Sequence, residues 1–246
     1  MDKKITGLKL FLLLFWQVSF AQQTILTDSN LPIMVISTDI DPATNSPIDI
    51  PDEPKVLATM QLIYRPDGAR NYLTDITNDS FLNYNGRIGI ELRGSSSQVL
   101  DKKPYGFTTL LEDDDSNNNV SLLGMPSEND WVLNSLAYDP SMIRDYLSYT
   151  LAANMGNYAP RVKYIEVIVN DDYKGVYILT EKIKRDSDRV NLKKIDDEDT
   201  DFTEVTGGYI IKADKTTGGD VVAWTMPNYG GWETDFLHHY PKTEDI

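Results

Sequence analysis

Residues 162–180 read VKYIEVIVNDDYKGVYILT, and this stretch predicts a β-hairpin. Two runs rich in β-branched and aromatic residues, 162–169 and 175–180, flank the polar segment 170–174. Such runs on either side of a short polar segment are typical of paired strands. The residues at 165–169 are almost continuously apolar, which favours a strand that is buried on both faces in the middle of a sheet.

Strand signals continue on both sides of this hairpin. The pair Asn85-Gly86 predicts a tight turn, and Pro66-Asp67-Gly68 predicts another. Short apolar runs bounded by turn residues predict further strands at 33–36, 58–64, 87–92, 104–111 and 208–212. The chain is therefore expected to be rich in β-structure.

The clearest helix is predicted at 139–156. Asp139 supplies a capping side chain, and Pro140 stands at the first helical position, where proline is favoured. Arg144 lies off the apolar stripe and is free to face a cleft or solvent. One broad face is expected to be buried, because apolar residues recur every four positions, at Ile143, Leu147, Leu151 and Met155. The predicted fold class is α+β, with a β-rich N-terminal part, one long amphipathic helix and a hairpin-containing sheet.

The N-terminus has the features of a secretory signal peptide. A lysine-rich start precedes an apolar run at 10–20, which closes with Ser19-Phe20-Ala21. A membrane-spanning helix needs about 20 apolar residues, whereas this run is about half as long and contains Gln17. We therefore expect residues 1–21 to be removed and the mature protein to be secreted, with no membrane span after cleavage.

Composition limits the possible partners. The formal net charge is −15 and becomes −17 when three lysines and one aspartate are lost with residues 1–21. Such a surface disfavours nucleic acid and anionic lipid, and it serves either solubility or attraction of divalent cations and basic partners. The chain has no cysteine, which excludes disulfides, thiolate nucleophiles and cysteine-ligated metals.

Two domain boundaries are expected. Residues 22–55 hold one strand followed by a connector rich in proline and aspartate, and residues 56–246 form the main domain. The last residues, 241–246, resemble a helix start, with Thr243 as a cap and acidic residues behind it. We therefore expect the chain to be a fragment of a longer protein.

Candidate metal ligands are weak. The run 197–201 has the alternating carboxylates of an EF-hand loop, but Phe202 stands in place of the required glycine. This run and the acidic run 112–115 are therefore predicted to be surface loops. His238 and His239 are adjacent, and neighbours in a regular element rarely converge on one metal. No metal ligand is assigned.

A more specific pattern is Arg93-Gly94-Ser95-Ser96-Ser97 at the end of a predicted strand, followed by Lys102-Lys103. A glycine and hydroxyl residues after a strand can direct backbone N–H groups at an anion, and a nearby lysine can reach the same anion. Gly/Ser turns between strands are also common without any ligand, so the pattern alone leaves both interpretations open.

Together with further motifs, this pattern resembles the spore coat protein H (CotH) kinase family of secreted, atypical protein kinases. The similarity extends over about residues 85–215 in consistent order, through motifs at 93–97, 102–105, 123–126, 130–134, 141–144, 155–156, 173–181, 188–192 and 207–210. The resemblance implies the N-terminal portion of an atypical kinase fold, ATP with Mg²⁺ or Mn²⁺ as cofactors, and phosphoryl transfer to Ser or Thr of an extracellular or coat protein.

The resemblance also implies roles for six residues. Lys103 would reach the phosphates, while Arg93, Ser95 and Ser96 would shape the phosphate side of the cleft. Arg144 would project from the helix into the cleft, and Glu181 would mark the hinge against the adenine. Simpler roles stay open for three of them: a position flanking a strand for Lys103, pairing with Asp145 or Glu181 for Arg144, and the end of an exposed strand for Glu181.

The family's catalytic and metal-binding aspartates are expected after Ile246, so no catalytic residue is assigned within this chain. Residues 56–246 would then be a CotH-kinase-like domain cut before its C-terminal lobe, and inactive alone. A second interpretation from another functional class is a non-catalytic surface or coat assembly module that binds protein or glycan.

Overall fold

The computed structural model describes residues 25–196, 198–216, 220–228 and 230–242. The predicted signal peptide and the predicted helix start at 243–246 lie outside these residues. The strands are β1 (Asp28–Ser29), β2 (Ile33–Thr38), β3 (Ile40–Asp41), β4 (Ser46–Pro47), β5 (Val56–Ile63), β6 (Asn71–Tyr72), β7 (Leu82–Leu92), β8 (Tyr105–Leu110), β9 (Asp130–Asn134), β10 (Val162–Val169), β11 (Asp172–Glu181), β12 (Ile210–Ala213), β13 (Val222–Pro227) and β14 (Glu233–Tyr240). The helices are α1 (Arg144–Asn154) and α2 (Phe202–Val205). None of the helices described is long and apolar enough to cross a membrane.

Seven strands form a closed barrel in the order β10-β11-β9-β8-β7-β5-β2. The barrel closes through a parallel pair in which Glu166 of β10 lies opposite Ile33 of β2, and the other neighbours are antiparallel. Inward-facing residues of all seven strands meet in one hydrophobic core. Its largest fully buried side chains are Trp131, Tyr177 and Phe107. The described residues are rich in β-strands and contain two helices, which is compatible with the predicted α+β class.

The predicted hairpin is confirmed as β10 and β11. Its turn is tighter than expected, because Asn170 and Asp171 both take positive φ values, 50° and 62°. Two consecutive residues in this conformation form the type of turn that matches the twist of paired strands. Residues 165–169 are all buried, as predicted, because Ile165, Val167 and Val169 face the barrel core while Ile168 packs in a second apolar cluster on the outer face.

The turn predicted at Asn85-Gly86 is wrong, because both residues lie within the continuous strand β7. Gly86 is required there for a different reason. A Cβ atom at Gly86 would lie 2.9 Å from the phenolic oxygen of Tyr84, which folds back to donate a hydrogen bond to the Arg87 carbonyl at 2.8 Å. The Pro66-Asp67-Gly68 turn is present, with Gly68 at φ 80°.

Helix α1 is shorter than the predicted 139–156. Met142 has φ 55°, which is incompatible with a right-handed helix, so the regular helix begins after it. Asp139 still caps this segment, because its carboxylate accepts hydrogen bonds from the backbone N–H groups of Ser141 and Arg144 at 3.1 and 2.9 Å. The predicted burial of one face is wrong: no α1 residue is buried, and Leu147 and Leu151 are each about half exposed.

Outside the barrel, β1 pairs with β6, β3 pairs with β4, and a three-stranded sheet has the order β12-β14-β13. The strand predicted at 208–212 corresponds to β12. Asp220 precedes β13 and is surrounded by the cationic side chains of Lys212 and Lys242 and by the His239 ring. Burial raises the pKa of Asp220, but the hydrogen bonds from Lys242, Lys212 and His239 outweigh this effect and hold the pKa well below its usual value. This ionised carboxylate therefore links β12 with the end of β14.

Candidate functional site

The turn after β7 carries the pattern singled out in the sequence. Arg93 ends the strand pairing, with its N–H donating to the Pro104 carbonyl at 3.0 Å. Gly94 follows with φ 87°, a conformation that favours glycine, and a Cβ atom there would overlap the hydroxyl oxygen of Ser97. The chain then makes a 3₁₀ turn over Ser96–Val99. We call residues 93–97 the Arg93 turn.

The Arg93 turn contains hydrogen-bond donors that have no partner among the described residues. Within the part of the chain that the structure describes, no acceptor is paired with the backbone N–H groups of residues 94–97. The exposed Arg93 guanidinium likewise forms no ion pair or hydrogen bond with described residues. Consecutive free N–H groups beside a guanidinium are the donor set that a phosphate group requires.

The side chains of Gln98 and Lys103 stabilise the turn through hydrogen bonds. The Gln98 amide donates to the Gly94 carbonyl at 2.6 Å and to the Asp52 carboxylate at 2.5 Å. The Lys103 ammonium donates to the Gln98 carbonyl at 2.6 Å. The Lys103 carbonyl in turn accepts a hydrogen bond from the buried Tyr177 hydroxyl at 2.9 Å. Lys103 therefore connects the turn to the barrel core.

Two clefts meet at the Arg93 turn. The larger has a volume of about 740 Å³ and includes Ser95 and Ser96 in its wall. The smaller has a volume of about 360 Å³ and lies between the turn and the start of α1, where it is lined by Arg144. Arg93 and Gly94 line both clefts. Both volumes fall in the range of small-molecule sites, about 300–1,000 Å³.

The structure thus brings four of the six predicted residues together: Arg93, Ser95, Ser96 and Arg144. Arg144 is 73% exposed, and its Nε atom lies 3.5 Å from the Asp139 carboxylate. Hydrogen bonds from the Ser141 hydroxyl and from the backbone N–H of Arg144 hold the pKa of Asp139 below its usual value. Asp139 therefore stays ionised and keeps Arg144 near the mouth of the smaller cleft.

Glu181 lies elsewhere. Its side chain is fully buried at the end of β11, opposite Trp131 of β9. The carboxylate accepts hydrogen bonds from the backbone N–H and the Nη1 atom of Arg161, each at 2.8 Å. Neither Glu181 nor Lys103 lines either of the two clefts. The nucleotide-binding roles of all six residues stay predictions.

Sequence reasoning missed several residues that line the larger cleft together with the turn. Glu91 lies two positions before Arg93 and projects from the same outer face of the barrel, over Gly106. Burial raises the pKa of Glu91, and the neighbouring Lys55 and Lys182 partly offset this effect. Asp214 and Lys215, after β12, also line this cleft. The alternation of side chains along β7 could have placed Glu91 on the same face as Arg93. The position of Asp214 depends instead on how the β12-β14-β13 sheet packs.

The residues at this site suit ATP phosphates better than they suit a divalent metal ion. The free N–H groups and Arg93 suit phosphate oxygens. Among the described residues, however, no group of three or more His, Asp or Glu side chains is arranged to hold a metal ion. The predicted ATP cofactor therefore has candidate contacts at the Arg93 turn, while Mg²⁺ or Mn²⁺ has no assigned ligand.

Comparison with known proteins gives one result for the family. A family model described as CotH kinase protein matches residues 90–235, which include the Arg93 turn, α1, the hairpin and Asp214. A search of curated proteins finds no match. The matched segment covers more than half of the chain and confirms the resemblance stated from the motifs. The chain belongs to the CotH kinase protein family.

Proposed function

We propose that this chain supplies the nucleotide-binding portion of a secreted, atypical protein kinase. Its reaction would be transfer of the ATP γ-phosphoryl group to Ser or Thr of an extracellular or coat protein. Family membership supports a kinase-like function. The observation that carries the proposal is the Arg93 turn, where free backbone N–H groups and an unpaired guanidinium lie between two clefts.

Each residue at the turn has a distinct part in the proposal. Bound ATP with its divalent metal supplies the phosphoryl group and much of its activation. The N–H groups of residues 94–97 and Arg93 bind phosphate oxygens, because charge-assisted hydrogen bonds to anions are short and strong. Arg144 contributes positive charge from the smaller cleft. Lys103 acts through Gln98, or reaches the phosphates itself if its ammonium leaves the Gln98 carbonyl.

Glu181 has a supporting part in the proposal. Because its carboxylate is held by Arg161, and the Lys182 and Ile183 carbonyls have hydrogen-bond partners, the hinge segment would meet an adenine ring through backbone N–H groups. The buried carboxylate would then fix where the hinge segment leaves β11. No residue is proposed as the catalytic base. Secretion, through the signal peptide predicted at 1–21, would place the substrate protein outside the cytoplasm.

Thermal unfolding in the presence of ATP tests the proposal. Ligand binding to the folded state raises its stability by an amount that depends on ligand concentration and Kd. We expect ATP, with and without Mg²⁺ or Mn²⁺, to raise the Tm of the wild-type protein. Arg93→Ala should weaken ATP binding by about tenfold or more, because it removes a charge-assisted hydrogen bond worth roughly 1.5–3 kcal/mol. Lys103→Ala should also weaken it, since the turn loses its brace.

Lys163→Ala is the matched control, because Lys163 is an exposed cation on β10 outside both clefts. It should keep the full effect of ATP. The proposal fails if ATP leaves the wild-type Tm unchanged, or if Arg93→Ala and Lys163→Ala respond alike. A protein that binds no nucleotide would instead fit the non-catalytic assembly module.

A further inference from the structure

The β13–β14 hairpin exposes an apolar stripe on one face. Trp224 and Met226 of β13 lie opposite Phe236 and Thr234 of β14, so all four side chains share that face. The Trp224 and Phe236 rings stack at 5.0 Å with an interplanar angle of 9°. Trp224 is 44% exposed and Met226 is 50% exposed. Large apolar side chains grouped on a surface in this way mark interaction sites.

The other face of the hairpin is acidic. Glu233 and Asp235 alternate with the apolar positions on β14, and Asp235 accepts a hydrogen bond from the Thr225 hydroxyl at 2.7 Å. Neither carboxylate forms an ion pair with a described residue. The sequence from 216 to 241 contains three acidic residues and no lysine or arginine, and the third acid, Asp220, is already paired. The free charge of this hairpin is therefore negative.

The first strand of this hairpin, β13, has an open edge. β13 is the last strand of its sheet, and no described strand pairs with its outer side. Edge strands are usually protected by charged residues, prolines or bulges. β13 reads VAWTMP, with no charge, one bulge at its start and a proline only at its end. Its middle offers unprotected backbone groups for strand addition.

We propose that the open edge of β13 binds an extended, basic segment of a partner protein as an added strand. Alternate side chains of that segment would face opposite sides of the sheet. Lysine or arginine at every second position would lie beside Thr225 and Pro227 of β13 and extend over them to Asp235 and Glu233 of β14. Apolar residues between them would pack on Trp224 and Met226. The expected recognition pattern is thus an alternation of basic and apolar residues.

Charge selects this partner over a second copy of the chain. A second β13 carries no basic residue, so an edge-to-edge pair of two hairpins would leave Glu233 and Asp235 of both copies without a cationic partner. Two copies that each carry a net charge of −15 also repel one another. The proposal is independent of nucleotide binding, because no residue of β13 or β14 lines either cleft at the Arg93 turn.

Fluorescence anisotropy with labelled peptides tests the proposal without ATP. The probe is an eight-residue peptide of alternating lysine and valine with capped ends. We expect it to bind the wild-type protein, while the same peptide with glutamate in place of lysine does not. Methylating alternate backbone nitrogens gives two forms, and one should bind at least tenfold more weakly than the other, because only one set of N–H groups faces β13.

Two conservative substitutions provide the protein control. The double variant Glu233→Gln, Asp235→Asn keeps side-chain shape and the Thr225 contact but removes both charges. It should keep its Tm and bind the lysine peptide roughly tenfold more weakly. Equal binding of the lysine and glutamate peptides, or equal binding of the two methylated forms, overturns the proposal. So does a dimer of the protein alone that Thr225→Pro dissociates, because the edge would then be occupied by a second copy.

Discussion

Replacing Gly94 with alanine should weaken ATP binding by at least tenfold, about 1.4 kcal/mol in binding free energy. Gly94 has φ 87°, and a Cβ atom would overlap the Ser97 hydroxyl oxygen, so the chain must shift at the centre of the Arg93 turn. The proposed phosphate contacts of the free N–H groups of residues 94–97 would then be displaced. Calorimetric titration of ATP into Gly94→Ala measures the loss.

Gly68→Ala is the matched control for this variant. Gly68 has a similar φ of 80°, but nothing lies within 4 Å of the position its Cβ would take, and it lines neither cleft. Both substitutions therefore introduce comparable backbone strain, and only Gly94→Ala should affect ATP. Adding Ser97→Ala to Gly94→Ala relieves the overlap and should recover part of the affinity. Equal ATP affinities for Gly94→Ala and Gly68→Ala would contradict the role given to the turn.

The largest effect on stability is expected for Trp131→Ala, a loss of roughly 4 kcal/mol in the free energy of unfolding. Trp131 is 1% exposed and is among the largest fully buried side chains of the barrel core. Its indole N–H donates to the Glu128 carbonyl at 3.1 Å. Its ring also packs against the buried guanidinium of Arg189, whose Cζ atom lies 5.1 Å from the ring centroid. Alanine would leave a cavity and expose this cation to an empty space.

Urea unfolding of Trp131→Ala and Trp232→Ala separates burial from residue type. Trp232 is 75% exposed, so the same chemical change there should cost no more than about 0.5 kcal/mol. The two variants should differ clearly in denaturation midpoint. If Trp131→Ala fails to fold, Trp131→Phe should show a smaller loss of the same origin. Similar midpoints for the two alanine variants would mean that Trp131 does not support the core as described.

Local signals account for the parts of the fold that could be predicted. The hairpin of β10 and β11 follows from two strand-forming runs and a polar turn, all within 20 consecutive residues of the sequence. Closure of the barrel could not be predicted, because it pairs Glu166 with Ile33, residues that are distant along the chain. Nothing in either local sequence specifies that partner.

Helix α1 shows a limit of periodicity. Leu147 and Leu151 recur at helical spacing, and that spacing identifies which face of a helix can be buried. Whether the face is buried depends on what packs against it, and both side chains are about half exposed. The positive φ of Met142 could not be predicted either, because methionine has no preference for the left-handed conformation.

The candidate site was partly visible in the sequence. A glycine and three serines after a strand indicated the Arg93 turn, because the chemistry of that turn is local. The contact of Lys103 with the Gln98 carbonyl could not be read from the spacing that placed Lys103 near the turn. The position of Asp214 in the wall of the larger cleft depends on how the β12-β14-β13 sheet packs. Tertiary contacts determine both the partner of Lys103 and the position of Asp214.

Amide hydrogen exchange at residues 94–97 tests the central claim most directly. These N–H groups have no partner among the described residues, so they should exchange rapidly in the free protein. We predict that saturating ATP slows their exchange and that adenosine, which lacks phosphates, does not. ATP that binds without slowing exchange at these four residues, or ATP that fails to bind at all, would contradict the account.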